Sequence, residues 1–576
     1  MASGDRPLSS YDVIVVGSGA GGMVAALRAH DLGLSVMMAE KSHHYGGTSA
    51  TSGGGTWIPM NDAIADHDSV EQAMTYLRAA CKGEAREETL RVFVENAQVM
   101  TKYLEGMGVK SFSVTGYPDY YSELPGAVLS RAMLPYDVDG AVLGEEFFRL
   151  KEHHPFLLAF NRYAMNFVMA GTISARLPGW RRVAFNMLKD YWIDIPWRLK
   201  TRRDRRLTMG RALVGGLRKA MLDRNIPLFL NTRLVRLEKS EGRVVAAVFE
   251  RNGQEVKVEA RKAVLLASGG FEQSQEMRER YLPSPTAAAN SLTPVGDNQG
   301  DGIRAGREMG AAIENMEHAW WSPTMHMPAR ETPNVDISYQ LFFERGRPGT
   351  ISVNRLGKRF VDEGVSYDQF GQAMIADQKK TGANMPCWMI FDATYRSKHP
   401  AGGLMPAWVM PDSSLPKEWW DSIIYRASSV RELARKISVD EDTLSETIGN
   451  MNRYAVTGVD EEFGRGTTTY DKFFGEPGVA PNACLGPLDR APFYAVRVEL
   501  GDLGTKGGLK VDADACVLGE DNRPIPGLYA VGNVTGSVFA GSYPGAGGTL
   551  GPAMTFAYLA ANHIARRATN AQSAAA

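Results

Sequence analysis

The stretch YDVIVVGSGAGGMVAALRAHDLGLSVMMAEK, residues 11–41, decides the fold. It begins with an apolar, β-branched run that predicts a buried strand, and it continues through GxGxxG into a helix and a second strand. In such a unit Gly17 makes the tight turn, Gly19 lets the backbone approach a pyrophosphate, and Gly22 permits close helix packing. Glu40, at the end of the second strand, is placed to accept a hydrogen bond from a ribose 2′-hydroxyl. The stretch therefore predicts a dinucleotide site, with a plain βαβ unit as the alternative.

A hydroxyl- and glycine-rich stretch, HYGGTSATSGGGTWIP (44–59), follows almost at once. An NAD enzyme would normally continue with the next strand of its sheet. A long loop of this composition instead offers N–H and O–H donors to a second phosphate and to a flavin ring. A flexible surface loop is the alternative, because glycine clusters are common in loops.

Two later stretches, AVLLASGG (263–270) and GLYAVGN (527–533), each predict an apolar strand that ends in a glycine turn, and residues 232–262 predict a β-meander. Because these pieces lie far apart, the sequence predicts an α/β protein whose Rossmann-type FAD-binding domain is discontinuous. We expect it to comprise residues 1–292 and 500–576, with an inserted α+β substrate domain at residues 293–499.

Length and composition restrict the class of protein. The chain has 576 residues, which favours at least two domains, and its formal net charge of -1 gives no reason to expect a nucleic-acid partner. The four cysteines form no CxxC pair, so we expect neither a metal site nor a disulfide framework. The first residues lack a secretory pattern, and no apolar run reaches about 18 residues. A cytoplasmic protein is expected.

The segment 150–206 mixes aromatic and aliphatic residues with basic ones. From Arg176 to Arg206 it holds ten Lys/Arg and three acidic residues. One interpretation is an interfacial helix that docks peripherally on anionic lipid. The other is a helical arm that covers the substrate domain or makes a subunit contact.

The motifs together resemble a known family. GSGAGG, GGTSATSGGGTWIP, DLGTKGG (502–508), GLYAVGN and SYPGAGGTLGPAMTFAYLAA (542–561) are similar to those of the 3-ketosteroid Δ1-dehydrogenases, within the fumarate reductase/succinate dehydrogenase flavoprotein group. The resemblance covers nearly the whole chain. Its specific part is the combination of PDYY (118–121), SYDQFG (366–371) and YPGxG (543–547).

The resemblance implies FAD and oxidation of the C1–C2 bond of a 3-ketosteroid. It implies that Tyr367 takes the C2 proton while the C1 hydride goes to flavin N5, and that Tyr120 assists Tyr367. It further implies that Tyr543 and the Gly547 amide bind the 3-keto oxygen. An external, quinone-like electron acceptor is expected, and lipid docking would favour sterol-type substrates such as cholest-4-en-3-one.

The same motifs supply the residues expected at the FAD. Covalently flavinylated members of the wider group carry a histidine before the glycine pair, and this chain has none there, so we expect dissociable FAD. For Asp301 a simple helix N-cap is an equal alternative. The expected residues are Gly17, Gly19, Ala20, Gly21, Gly22, Glu40, Lys41, Gly46, Gly47, Thr48, Ser49, Ser52, Gly53, Gly54, Val235, Ala267, Ser268, Gly269, Asp301, Gly532, Asn533, Gly548 and Leu550.

The chemistry can also be read without the resemblance. Removing two hydrogens beside a ketone needs a proton acceptor, a hydride acceptor and donors that stabilise the enolate oxygen, each donor contributing about 3–4 kcal/mol. The phenol and the glycine amides of SYPGAGG suit the last role. A tyrosine base needs help, because its free pKa is about 10. Packed core aromatics remain the alternative for Tyr120 and Tyr367.

Competing functions are a Δ4-(5α) ketosteroid dehydrogenase, a fumarate-reductase-like enzyme and a flavin-containing binding protein. The phenols of YDQFG and YPGAG disfavour a fumarate reductase, which needs arginine and histidine clamps. Trp320 and Trp321 are interpreted either as an apolar wall for a sterol nucleus or as ordinary core.

Overall fold

The computed structural model describes residues 9–160, 162–174, 176–328 and 336–575. Its strands are β1 (Ser10–Val16), β2 (Val36–Ala39), β3 (Thr56–Trp57), β4 (Ser111–Ser113), β5 (Ala132–Pro135), β6 (Val138–Asp139), β7 (Leu158–Ala159), β8 (Tyr163–Ala164), β9 (Arg206–Leu207), β10 (Leu228–Phe229), β11 (Arg233–Ser240), β12 (Arg243–Arg251), β13 (Gln254–Leu266), β14 (Ile313–Glu314), β15 (Ala319–Pro328), β16 (Asp336–Gln340), β17 (Thr350–Val353), β18 (Cys387–Phe391), β19 (Ile424–Ala427), β20 (Phe493–Thr505), β21 (Gly508–Leu509), β22 (Cys516–Leu518) and β23 (Pro524–Ala530).

The helices of the described residues are α1 (Ala20–Asp31), α2 (Gly47–Thr51), α3 (Val70–Ala80), α4 (Glu87–Gly106), α5 (Phe167–Ser174), α6 (Trp180–Ile193), α7 (Ile195–Lys200), α8 (Met209–Asp223), α9 (Gln275–Tyr281), α10 (Asp301–Glu308), α11 (Tyr367–Thr381), α12 (Ala393–Lys398), α13 (Val430–Lys436), α14 (Glu441–Thr457), α15 (Thr469–Phe474) and α16 (Leu550–Ala575).

A mixed sheet joins both ends of the chain. Its parallel part has the order β10-β2-β1-β13-β23, and the first half of β13 continues into the predicted antiparallel meander with β12 and β11. Helix α1 packs against α16, so the first and last elements share one core. The carboxyl ends of these parallel strands meet at one edge, which is where α/β sheets place their ligands.

The turn after β1 accepts only glycine. Residues 13–16 are buried in the sheet, and Gly17 then adopts a φ of +105°. A Cβ at Gly17 would lie 2.3 Å from the Ala267 carbonyl oxygen at the end of β13. The missing side chain therefore lets two strand ends approach each other beside the predicted pyrophosphate site.

A second, antiparallel sheet has the order β16-β15-β20-β18-β17, with β19 also paired to β20. Strand β20 is its longest member, and its carboxyl end leads back toward β21 and β23. The boundary expected at residue 500 falls inside β20, because the backbone pairing with β15 continues to Thr505. The division into domains otherwise stays a prediction.

The segment 150–206 contains α5, α6 and α7 and the short hairpin of β7 and β8. The ring of Trp180 lies 5.8 Å from that of Trp408, so this arm touches the second half of the chain. Several large apolar side chains of the arm face outward, namely Phe185, Trp192, Ile193, Ile195 and Leu199. Within the part of the chain that the structure describes, no helix is long and apolar enough to cross a bilayer.

Candidate active site

A cavity of about 1300 Å³ lies between the ligand edge of the parallel sheet and the antiparallel sheet. Glycine-rich turns form part of its wall, and aromatic and aliphatic side chains form much of the rest. The residues predicted to bind FAD that line this cavity are Gly17, Gly19, Ala20, Gly21, Gly22, Glu40, Lys41, Gly47, Thr48, Ser49, Ser52, Gly53, Gly54, Ala267, Ser268, Gly269, Asp301, Gly532, Asn533 and Leu550.

Three predicted residues lie just outside this wall. The Gly46 amide donates to the Ser18 hydroxyl at 3.0 Å, and Gly548 lines a small neighbouring cavity. Val235 lies at a β-bulge of β11, next to Leu234, which does line the large cavity. The contact of these three residues with FAD stays a prediction.

The stretch 44–59 is more ordered than a loop. It contains helix α2, which follows Gly46 in a left-handed conformation at φ +110°. The Ser49 hydroxyl accepts a hydrogen bond from the Ala20 amide at the start of α1, and Thr48 accepts one from Asn298 at 2.8 Å. The stretch predicted as a loop thus contains a helix of 5 residues, and these contacts tie it to α1 and to the turn before α10, which disfavours the alternative of a flexible surface loop.

The acidic residues at the sheet edge are held in place. Glu40 accepts hydrogen bonds from the Ser18 hydroxyl at 2.5 Å and the Ser42 amide at 2.9 Å. Lys41 Nζ lies 2.7 Å from Asp301 Oδ2. The N-cap interpretation of Asp301 is wrong: Gly300 is the N-cap of α10, and Asp301 is its first residue.

The residues present fit FAD on two further observations. The turn after β1 has no side chain at Gly17 or Gly19, and both glycines line the cavity. The N-terminus of α1 lies at the same wall: its N-cap Gly19 makes no side-chain capping bond, and the Ala20 amide donates to the Ser49 hydroxyl. The site thus offers a side-chain-free turn and a helix N-terminus to a dinucleotide.

Three tyrosine hydroxyl groups meet in the same cavity. The Tyr120 hydroxyl lies 2.9 Å from that of Tyr367, which lies 3.2 Å from that of Tyr543. All three side chains are buried, and all three line the cavity. The structure thus brings together the tyrosines of PDYY, SYDQFG and YPGxG, although their catalytic roles stay predictions.

Neighbouring elements fix this trio. Tyr367 is the first residue of α11, whose N-terminus has a capping box between Ser366 and Gln369. The Pro544 carbonyl accepts hydrogen bonds from the Tyr76 hydroxyl at 2.5 Å and from the Tyr120 amide at 3.0 Å. The loop that carries Tyr543 is therefore tied to the loop that carries Tyr120.

The protein environment opposes ionisation of the trio. Burial raises the pKa of Tyr543 to about 12, although hydrogen bonds from the Tyr367 hydroxyl, the Thr549 hydroxyl and the Gly547 amide lower it. Burial, with the neighbouring phenols, raises the pKa of Tyr120 and Tyr367 well above its ordinary value. All three phenols are therefore protonated at neutral pH in this structure.

The Gly547 amide lies next to the Tyr543 hydroxyl because of an unusual backbone. Gly547 has a φ of +92°, and a Cβ there would lie 2.4 Å from backbone atoms of Thr56. The loop can therefore press against β3 only with glycine at this position. The Tyr543 hydroxyl and the Gly547 amide, which are predicted to donate to the 3-keto oxygen, therefore lie side by side.

Aromatic side chains continue the wall beyond the hydroxyl groups. The rings of Phe342 and Tyr367 lie 5.5 Å apart, and Phe343 stacks on Phe474. Trp320 packs behind Tyr543 at 4.7 Å, and its indole N–H faces Asn533. The core interpretation of Trp320 and Trp321 is the one that the structure favours, because both are buried and neither lines the large cavity.

Sequence reasoning missed two groups at this site. Asn298 holds Thr48, and the buried Lys506 lies behind the trio. Their only signal was position: Lys506 lies inside the quoted motif DLGTKGG, and Asn298 lies shortly before Asp301 in GDNQGDG (296–302).

Comparison with known proteins agrees with this site. Residues 12–550 match the model of the FAD binding domain family. A 3-oxosteroid 1-dehydrogenase of Mycolicibacterium smegmatis is 38% identical, covering 97% of this chain and 98% of its own length, and one of Mycobacterium tuberculosis is 36% identical over 97% and 99%.

Among solved structures, the 3-ketosteroid Δ1-dehydrogenase of Sterolibacterium denitrificans in complex with 1,4-androstadiene-3,17-dione superimposes with a TM-score of 0.92. It is 46% identical, over 97% of this chain and 100% of that one. Both the predicted family resemblance and the FAD cofactor are confirmed. The chain belongs to the 3-oxosteroid 1-dehydrogenase family of FAD-dependent oxidoreductases.

Proposed function

We propose that the protein introduces a C1=C2 double bond into 3-ketosteroids. The observation that carries this proposal is the chain of three buried phenols in a cavity whose opposite wall fits a dinucleotide. The relatives named 3-oxosteroid 1-dehydrogenase, and the dienone bound by the solved relative, support the same reaction.

The three tyrosines divide the work. Tyr543 and the Gly547 amide donate hydrogen bonds to the 3-keto oxygen and so acidify the C2–H bond. Tyr367, as phenolate, takes the C2 proton, and the Tyr120 hydroxyl donates to Tyr367 and disperses its charge. When bound, FAD supplies the acceptor for the C1 hydride.

The strand order supports a finer architecture, which is part of the proposal. The strands β10, β2, β1, β13 and β23 form a Rossmann-type, discontinuous FAD-binding domain, and the antiparallel sheet belongs to an inserted steroid-binding domain. The cavity between them is where such folds hold their ligands.

We expect FAD to be held without a covalent bond, because the stretch 46–54 contains no histidine. Precipitating the protein with acid would then release all flavin into the supernatant. Flavin that stays in the pellet would contradict the expectation.

Sterol-type substrates such as cholest-4-en-3-one suit the position of the arm, residues 150–206, beside the cavity. One face of α6 lines the cavity through Trp180, Met187 and Leu188, while Phe185 and Ile193 face outward. Arg181, Arg182 and Lys189 of the same helix are also exposed. Peripheral docking on an anionic bilayer would place the cavity beside membrane-dissolved substrate. The reduced enzyme would then pass its electrons to an external, quinone-like acceptor.

The competing chemistry is desaturation at C4–C5 or dicarboxylate reduction. The hydroxyl groups shown to hydrogen-bond with Tyr367 are phenols, which suit a ketone better than a dicarboxylate. Anaerobic mixing with androst-4-ene-3,17-dione tests the proposal: we expect rapid bleaching of the flavin and a 1,4-diene by NMR. An unchanged flavin spectrum would refute it.

A further inference from the structure

A buried ion pair lies directly behind the tyrosine trio. Lys506 Nζ lies 3.0 Å from Asp368 Oδ1 and donates to the Gly541 carbonyl at 2.7 Å, and both charged side chains are fully buried. Asp368 also accepts hydrogen bonds from the Trp321 amide at 3.0 Å and from Gln372 at 2.6 Å. Two N–H groups of the ammonium and both oxygens of the carboxylate thus have partners, which fixes the pair in one geometry.

The partners of Lys506 are the neighbours of the catalytic tyrosines. Asp368 follows Tyr367 in α11, and Gly541 lies two residues before Tyr543. The ammonium also lies 4.9 Å from the centre of the Trp320 ring, which packs on the Tyr543 ring. One side chain therefore connects the segment of the proton-accepting phenol with the segment of the keto-binding phenol.

Stability alone is a poor reason for this pair. Removing two charges from water costs free energy that their attraction often fails to restore, so apolar replacements of buried pairs are frequently neutral or stabilising. The pair connects the segments that carry Tyr367 and Tyr543, and the hydroxyl groups of these two residues must keep their spacing. A role in positioning them explains why the pair is there.

The charge of the pair also acts on the trio. The titratable groups that face it are Cys81, His318, Tyr121 and Tyr543. Burial raises the pKa of Cys81 to about 12 and lowers that of His318, so both are neutral at pH 7. Besides burial, the Asp368 carboxylate raises the pKa of Tyr543, whose ring centre lies 5.9 Å from the Lys506 ammonium. Without the ammonium, an ionised Asp368 would oppose a phenolate in the hydrogen-bonded trio more strongly.

We propose that Lys506 is a positioning residue of the desaturation: it holds the Tyr367 and Tyr543 segments at their working distance and neutralises Asp368 so that Tyr367 can ionise. This inference rests on the function proposed above.

The test compares Lys506→Met, the double variant Lys506→Met/Asp368→Asn and the control Lys510→Met. Lys510 lies four residues further on and contacts Asn522 at the surface. The measurements are bound flavin, calorimetric binding of androsta-1,4-diene-3,17-dione, kcat, and the pH dependence of kcat/KM.

For Lys506→Met we expect bound flavin and dienone affinity within about threefold of wild type, and kcat lowered by about 100-fold. We also expect the rise of kcat/KM in the alkaline range to move to higher pH, because the unpaired Asp368 carboxylate disfavours the Tyr367 phenolate. In the double variant this rise returns toward its wild-type position while kcat stays low. Lys510→Met behaves as wild type.

A purely structural lysine would lower flavin content or activity without moving the pH profile, and that result would overturn the proposal. A Lys506→Met enzyme with wild-type kcat and pH profile would do the same. If Lys506→Met does not fold, the single variant Asp368→Asn is measured instead. A pH dependence of kcat/KM equal to that of the wild type would then refute the proposal. A wild-type enzyme that leaves 3-ketosteroids unchanged refutes the proposed function itself.

Discussion

At the scale of single residues, Tyr120, Tyr367 and Tyr543 have the same side chain but different hydrogen-bond partners. Tyr120 and Tyr367 are 247 positions apart, and Tyr367 and Tyr543 are 176 apart, yet their hydroxyl groups form one chain. Tyr543 receives hydrogen bonds from Gly547 and Thr549, which favours its role as donor to a ketone. Tyr367 instead accepts a hydrogen bond from the Tyr120 hydroxyl, and burial raises the pKa of Tyr367 well above its ordinary value, so its phenolate, once formed, is a strong base.

Replacing Tyr367 by phenylalanine removes the hydroxyl that accepts the proton and keeps the ring. We expect kcat to fall by at least about 100-fold, while flavin content and dienone affinity stay unchanged. Steady-state kinetics and calorimetry check this, with Tyr425→Phe as the control, since Tyr425 packs on Trp388 away from the cavity. A Tyr367→Phe enzyme with near wild-type kcat would mean that another group takes the proton.

The pH dependence follows from the raised pKa values. Because burial raises the pKa of Tyr367, the phenolate is the minor form at neutral pH, and its fraction grows as pH rises. Tyr543 must stay protonated and does so until pH approaches about 12. We therefore expect log(kcat/KM) to rise through the alkaline range in which the fold persists. A plateau or a decline from pH 7 upward would contradict this.

At the scale of elements, the loop before α16 is the part that leaves least freedom. Its φ of +92° at Gly547 and its close approach to Thr56 exclude a side chain. We expect Gly547→Ala to shift the loop, to lower kcat by about 100-fold and to weaken dienone binding. Gly449→Ala is the matched control, since a Cβ in that helix meets nothing within 4 Å. Equal behaviour of the two variants would show that the loop tolerates movement.

Local sequence patterns predicted some of these elements and could not predict others. The unit β1-α1-β2 was predictable because its glycine spacing and apolar runs are local. Helix α2 was not, because glycine and serine suit loops equally well and the contacts that order the segment come from Ala20 and Asn298. Nor could spacing alone bring Tyr120, Tyr367 and Tyr543 together; that required the family resemblance. The role of Lys506 depends on long-range contacts that no local pattern encodes.

At the scale of the whole molecule, the exposed apolar side chains of the arm make a testable surface. We expect the protein to sediment with anionic vesicles of phosphatidylglycerol and less with neutral phosphatidylcholine, and to be released by salt. The double variant Ile193→Glu/Leu199→Glu should lose this binding, while Val456→Glu, which alters an exposed valine of α14, should keep it. Equal binding to anionic and neutral vesicles, or binding that the double variant retains, would contradict lipid docking by the arm.

Residues of both sheets line one cavity, and the central claim concerns the bond that is oxidised there. The most direct test uses 5α-androstane-3,17-dione, which a C1–C2 or a C4–C5 dehydrogenase could each oxidise. The claim predicts that NMR of the product, after anaerobic mixing with the oxidised enzyme, shows the 1-ene. A 4-ene product would contradict it.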